Sequence, residues 1–280
     1  MKHWNAISNQ VEKHYIFSFG GGVQSVAAMV LAAQGKIPYD TFVFSNVGHD
    51  SENPSTLEYI EQIVAPYMQQ HKLRFEVVQR LNKAQQPVTL YEYNMNPNNR
   101  SVTIPAHLKD GGPGQRSCTS DWKVRVIDKW IKTHCTGLVY VGLGISVDEF
   151  TRMKKLKPVA LRKAGPLKSN RYPLIDLRLT RDACIRIIQA EGLPIPEKSS
   201  CWFCPFHSAK AWLDLSVQQP DLFAKAVDLE EHINAKRELK GKDQLRLHTS
   251  WKPLSQVVSG DQMAMFPEED DNCEGGYCFV

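Results

Sequence analysis

Nowhere does this chain carry a hydrophobic run near the roughly 18 consecutive apolar residues that a membrane span needs. Its opening, MKHWNAISNQVEKH, lacks the apolar centre of a secretory signal. A cytoplasmic protein with no membrane partner is therefore expected. With 17 Gly and 16 Pro in 280 residues, a collagen-like or low-complexity chain is excluded. Acids are missing between Arg152 and Arg171, where eight bases stand (Arg152, Lys154, Lys155, Lys157, Arg162, Lys163, Lys168 and Arg171). Bases are missing from Asp261 to Val280, which holds Asp261, Glu268, Glu269, Asp270, Asp271 and Glu274. The net charge of +4 thus hides a basic body and an acid-only tail. A solvated loop is the plain reading of the basic run, and a phosphate-rich partner is the other. Apolar residues at 42% and charged residues at 23% are ordinary for a globular protein with a sizeable core.

The seven cysteines are Cys118, Cys135, Cys184, Cys201, Cys204, Cys273 and Cys278. An odd number in a chain of this size without an export signal argues against a disulfide framework. Cys201-Trp-Phe-Cys204-Pro-Phe-His207 is the sharpest local signal. Thiolates at i and i+3 can turn inward around one metal or cluster, with His207 as a further candidate ligand. One such pair cannot supply four ligands, and redox thiols or inert residues remain open. Cys273 and Cys278 sit in an acidic, Gly-rich terminus whose default is fraying. Cys135 and Cys184 fall on helices and read as bystanders.

Short apolar runs alternate with helical patterns along the first half. Tyr15 to Phe19, Asp40 to Ser45, Arg74 to Val78 and Gly137 to Gly144 read as strands. Gln24 to Ala33, Asn53 to about Gln70, and Asp121 to His134 read as helices, the last with Val124, Ile127 and Ile131 on one face. Tyr172 to Leu177 reads as one more strand, followed by a helix with Thr180 as N-cap and Gly192 just past its end. Residues 80 to 116 show no period and read as an active-site loop or insertion. Leu222, Ala226, Leu229 and Ile233 form an apolar stripe that reads as core. The expected fold is α/β, a doubly wound, mostly parallel sheet over residues 1–195, with a C-terminal helical, cysteine-containing region over 196–280.

Ser18-Phe19-Gly20-Gly21-Gly22-Val23-Gln24-Ser25 joins the first strand to the first helix. Glycines there let backbone N–H groups approach a phosphate at a helix N-terminus, and Ser25 could add a hydroxyl. The run is neither GxGxxG nor a Walker A loop, and a simple tight turn reads equally well.

Gly20 to Ser25 resembles the SGGxDS pyrophosphate-binding loop of the PP-loop, or adenine nucleotide α-hydrolase-like, superfamily. Residues 46–56 (NVGHDSENPST) resemble the (N/D)TGxxxPET segment of its PAPS reductase-like branch. Arg116-Ser-Cys118-Thr with Trp122-Lys123 is similar to RCCxxxK, 142–152 to GIRxxES/DExxR, and Tyr172-Pro-Leu-Ile-Asp176 to YPLxxW. Five segments in order, over about residues 15 to 207, carry the resemblance. Gly20 replaces the loop's Ser, Gln24 its Asp, and Ser146 the Arg of GIR. The ECGxH segment of PAPS reductases is missing, and Cys273 and Cys278 stand at the end instead.

The resemblance implies ATP bound by Ser18, Gly20, Gly21, Gly22, Gln24 and Ser25, with Asn46 near the adenosine and Gly142 and Gly144 across the cleft. It implies Ser25, Lys123, Arg152 and Cys118 as catalytic residues, with Arg116 as a further phosphate-neutralising base. Asp148 with Glu149 would hold Mg²⁺ or, on the plainer reading, cap the following segment. It implies a [4Fe–4S] cluster, or alternatively Zn²⁺, on Cys118, Cys201 and Cys204, with Cys273 or Cys278 among the candidates for a fourth ligand. The activity implied is ATP cleavage to AMP and pyrophosphate for sulfur transfer to a nucleic acid, as in DNA phosphorothioation or tRNA thiolation. A sulfur-donor protein such as a cysteine desulfurase would be a partner. A PAPS/APS reductase and a catalytically weak nucleotide-binding subunit remain the alternatives.

Overall fold

The structure, a computed structural model, describes residues 12–99, 101–110, 112–152 and 165–258. Its sheet begins with β1 (Lys13–Phe19), which enters the glycine loop and α1 (Val23–Ala33). β2 (Thr41–Asn46) leads to α2 (Pro54–Tyr59), which continues through a π-helical turn, Ile60–Val64, into α3 (Ala65–Gln70). Asn53 caps α2 by accepting the Ser55 N–H at 3.1 Å, and Pro54 takes the first helical position. After β3 (Arg74–Gln79) come the short α4 (Leu90–Met95), α5 (Ser117–Thr119), a second π turn at Ser120–Val124, and α6 (Arg125–His134). β4 (Leu138–Leu143), a 3₁₀ segment (Val147–Arg152), β5 (Leu167–Arg171), α7 (Pro173–Asp176) and α8 (Arg181–Ala190) complete the α/β part. α9 (Ala209–Gln218), α10 (Pro220–Glu238) and α11 (Leu254–Val257) follow.

The described strands form one all-parallel sheet in the order β3-β2-β1-β4-β5. Alternation along the strands sorts side chains between two faces. Phe17, Phe19, Phe42 and Phe44 pack with α1, Ile60, Val64, Met68 and Ile188 on one face. Ile16, Val43, Val139 and Val141 pack with Ile127, Trp130 and Ile131 of α6 on the other. Helices thus cover both faces, as expected of a doubly wound sheet. The chain changes face between β3 and β4, so the order reverses between β1 and β4, where α/β sheets open a ligand crevice.

A further core lies beyond the strands' carboxyl ends. It joins Val47, Leu90, Ile104 and Trp122 to Trp202, Phe203, Trp212, Leu229 and Ile233. The C-terminal helices therefore share their interior with the aperiodic stretch after β3. Glu230, buried on α10, accepts the Leu247 and Leu254 N–H groups at 2.7 and 3.0 Å and ties the chain's return to that helix.

Two local expectations are corrected. The strand beside β4 is Leu167–Arg171, while Pro173 opens a helical turn in the stretch read as a strand. Proline lacks the N–H for a ladder but suits a helix start. Val124 is 38% exposed although Ile127 and Ile131 are buried. Val124 is the last residue of the π turn, whose wider winding takes it off the stripe, and Trp130 joins the buried face.

Candidate active site

The loop between β1 and α1 is shaped by close approaches. Gly21 has φ +78°, and a Cβ there would stand 2.9 Å from Thr56 Cγ2. A Cβ on Gly22 would stand 2.9 Å from Ser199 Oγ, so the segment before Cys201 lies directly against the loop. The Gly20 N–H donates to Ser25 Oγ at 3.2 Å, which braces the turn and leaves the hydroxyl hydrogen to donate elsewhere. Among the described residues no side chain caps α1 at Gly22, so its first-turn N–H groups keep their affinity for an anion.

The far side of the loop is closed by the end of β4. A Cβ on Gly144 would stand 3.4 Å from the Ser25 nitrogen and 3.5 Å from Gln24 Cβ. Gln24 Nε2 donates to Ser146 Oγ at 3.4 Å, so the two positions that depart from the motifs meet each other. Gly142 makes room for core rings: a Cβ would meet Phe17 and Tyr39 at 2.6–2.7 Å. Asn46 Oδ1 accepts the Gly48 N–H at 2.8 Å and shapes the turn after β2.

Beside the β1–β4 reversal a crevice opens, lined by Ser18, Thr119, Lys123, Val141, Leu143 and Asn170. Its lining mixes apolar Val141 and Leu143 with polar Ser18, Thr119 and Asn170 and charged Lys123. Lys123 also faces away from the crevice, with Nζ 3.7 Å from Glu52 Oε1. Both side chains are largely buried, at 13% and 2% exposure.

Glu52 leads to the thiols. It bridges Cys201 in an antiparallel pair, the Asn53 N–H donates to the Ser200 carbonyl at 3.0 Å, and Trp202 Nε1 donates to the Asp50 carbonyl at 2.8 Å. Cys118 and Cys204 both lie within electrostatic reach of the Cys201 sulfur. Burial pushes the Cys201 thiol well above its ordinary value; Glu52 adds to this and Lys123 opposes it. Burial likewise raises the Cys118 thiol, against the pull of Lys123 and Arg116. Among the described residues no three His, Cys, Asp or Glu side chains close on a point that would hold a single metal ion. His207 braces the cysteine turn, its Nε2 2.9 Å from the Cys201 carbonyl, an acceptor only, so that nitrogen carries the hydrogen.

Lys168 and Asp128 line the same crevice, and the other candidates lie elsewhere. The exposed Asp148 accepts the Arg181 N–H at 3.0 Å, capping α8 together with Thr180, whose hydroxyl accepts the Ala183 N–H at 3.2 Å. Arg152 pairs with Glu149 at 2.7 Å. Lys168 pairs with Asp128 at 2.5 Å, and the Arg171 guanidinium lies 4.9 Å over the Tyr140 ring. The rest of the basic run's charge (Lys154, Lys155, Lys157, Arg162 and Lys163), with Cys273, Cys278 and the acidic tail, lies outside the described residues. Cys184 is a core residue whose thiol burial pushes up to about 12, and Cys135 is buried against α6.

No family model matches this chain, and no curated protein does. Among solved structures, it is similar to the U34-tRNA thiolase NcsA from Methanococcus maripaludis with its [4Fe-4S] cluster, at 13% identity and a TM-score of 0.41. That likeness covers 83% of this chain and 72% of the other. At such identity and score it assigns no role to any residue here.

Reading motifs missed three participants. Glu52 lies within the 46–56 segment, but nothing local marks an acid in a polar turn as buried. Ser199 and Ser146 act through contacts with residues far away in sequence. The one available signal is position: Glu52 and Ser146 fall inside motif segments, and Ser199 stands just before the cysteine pair.

No helix among the described residues is long and apolar enough to cross a membrane.

Proposed function

We propose that this chain binds ATP on its glycine loop, cleaves it between the α and β phosphates, and uses the activation to transfer sulfur to a nucleic acid. The observation that carries the reading is the position of Lys123, which lines the crevice with Ser18 and also faces Glu52, Cys118 and Cys201. One buried ammonium thus borders both the crevice beside the β1–β4 reversal and a set of thiols.

In the reaction proposed, an acceptor oxygen attacks the α-phosphorus and pyrophosphate leaves. A sulfur nucleophile then displaces AMP, which carries the oxygen away. The loop N–H groups and Ser25 hold phosphate oxygens, and Lys123 offsets the charge that develops there. Cys118, Cys201 and Cys204 would hold an iron–sulfur cluster, which would supply an iron whose non-cysteine ligand sulfide can displace. A single zinc ion needs its ligands at about 2.0–2.3 Å. Among the described residues no three candidate side chains close on such a point, whereas Cys118 and Cys204 lie within electrostatic reach of Cys201, and thiolates are the ligands that iron–sulfur clusters take.

The test supplies anaerobically purified protein with Mg²⁺, ATP, sulfide and bulk tRNA or DNA. Acceptor-dependent release of AMP and pyrophosphate with sulfur entering the nucleic acid supports the reading. Sulfite formed from PAPS without ATP overturns it.

A further inference from the structure

Glutamates are rarely buried without a partner, because withdrawing a carboxylate from water must be offset by hydrogen bonds or a cation. Glu52 is 2% exposed, and its Oε1 is buried with no hydrogen-bond partner. Lys123 Nζ, at 3.7 Å, contributes charge but stands too far for a hydrogen bond. The backbone fixes this carboxyl group firmly. Glu52 pairs with Cys201, its neighbour Asn53 donates to Ser200, and the Trp202 indole holds the Asp50 carbonyl. The oxygen is therefore held at the thiols, and it lacks a partner that the described residues do not provide.

Carboxylate oxygen and thiolate sulfur both bind transition metals. We propose that Glu52 supplies the fourth ligand to the cluster held by Cys118, Cys201 and Cys204, so that Cys273 and Cys278 are not required for its assembly. The inference rests on the cluster reading above and adds to it the identity of the last ligand. An iron at that corner gives Oε1 the direct bond that Lys123, at 3.7 Å, does not. Lys123 then offsets the negative charge of three thiolates and a carboxylate gathered in one buried place.

The experiment uses the full chain, reconstituted anaerobically with iron and sulfide, and measures iron, acid-labile sulfide and the EPR spectrum. Four proteins are compared: wild type, E52Q, E52C and the C273S/C278S double variant. The double variant is expected to match wild type in iron and sulfide. E52Q is expected to lose about one iron in four and to show a three-iron EPR signal, because one corner has lost its ligand. E52C, which restores an anionic ligand, is expected to recover the iron. A purely structural Glu52 would give neither the three-iron signal nor the rescue. Wild-type iron and spectrum in E52Q, or loss of iron in the double variant, overturns the proposal while leaving the cluster reading intact. Wild type that takes up no iron overturns both.

Discussion

A methyl group added at Gly142 would stand 2.6 Å from Phe17 Cδ2 and 2.7 Å from two atoms of the Tyr39 ring. Carbon atoms pack best at about 3.5–4.0 Å, so the overlap approaches about 1 Å on two rings at once. Neither ring has room to retreat. Phe17 is fully buried, stands edge-on to Tyr39 at 5.5 Å between centroids, and packs against Phe42 at 5.3 Å. Overpacking of this kind costs about 1–3 kcal/mol. Alanine returns about 0.4–1 kcal/mol by restricting the unfolded chain. The net for G142A is a loss of up to about 2.6 kcal/mol, centred on about 1.3, or about 3–5 °C in Tm at the roughly 2–4 °C per kcal/mol typical of somewhat smaller domains. Thermal unfolding and Mg-ATP titration calorimetry on the same protein separate packing from ligand contact. The expected result is a lower Tm with nucleotide affinity unchanged well below it. An unchanged Tm with lost affinity would show that Gly142 faces the ligand, and the packing argument would fail.

Three other perturbations follow from the same geometry. K123M strands Glu52 as a buried charge and is expected to cost about 3–5 kcal/mol in urea unfolding of metal-free protein, with E52Q recovering much of it in the double variant; strictly additive effects would contradict the coupling. D148A removes one cap from α8 and is expected to cost about 0.5–1 kcal/mol while leaving the Mg²⁺ dependence of ATP binding unchanged; weaker Mg²⁺ binding would return Asp148 to the metal site. His248 accepts the Ser250 N–H on Nδ1 at 3.1 Å, and burial, helped by His107, holds its pKa below the ordinary imidazole value. The unfolded chain therefore binds the extra proton first, and stability falls as pH drops below about 6.5 until the lower folded-state pKa is passed. H248N should flatten that fall, and parallel curves for the two proteins would refute the assignment.

Elements whose signals are local were readable from the sequence. β1, β2 and β4 are apolar runs, and α8 carries both its marks, the Thr180 cap and Gly192 at φ +77°. β5 was misplaced because Leu-Lys-Ser-Asn-Arg has no apolar pattern; it is an edge strand specified by pairing with β4, and Ser169 is its one buried residue. Val124 was misjudged because a π turn leaves no trace in hydrophobic spacing. The glycine loop and the cysteine pair stood out as motifs, but their nearness depends on Ser199 resting on Gly22. Glu52 was illegible as a site residue because its burial is made by Cys201 and Lys123, which reach it from distant parts of the chain.

The central claim is that nucleotide crevice and thiol site adjoin through Lys123. The most direct measurement is the EPR and visible spectrum of the anaerobically reconstituted protein before and after Mg-ATP, with binding followed by calorimetry on the same sample. Adjacent sites predict that bound nucleotide shifts the spectrum of the iron centre in wild type. Nucleotide that binds while the spectrum stays unchanged would contradict the account.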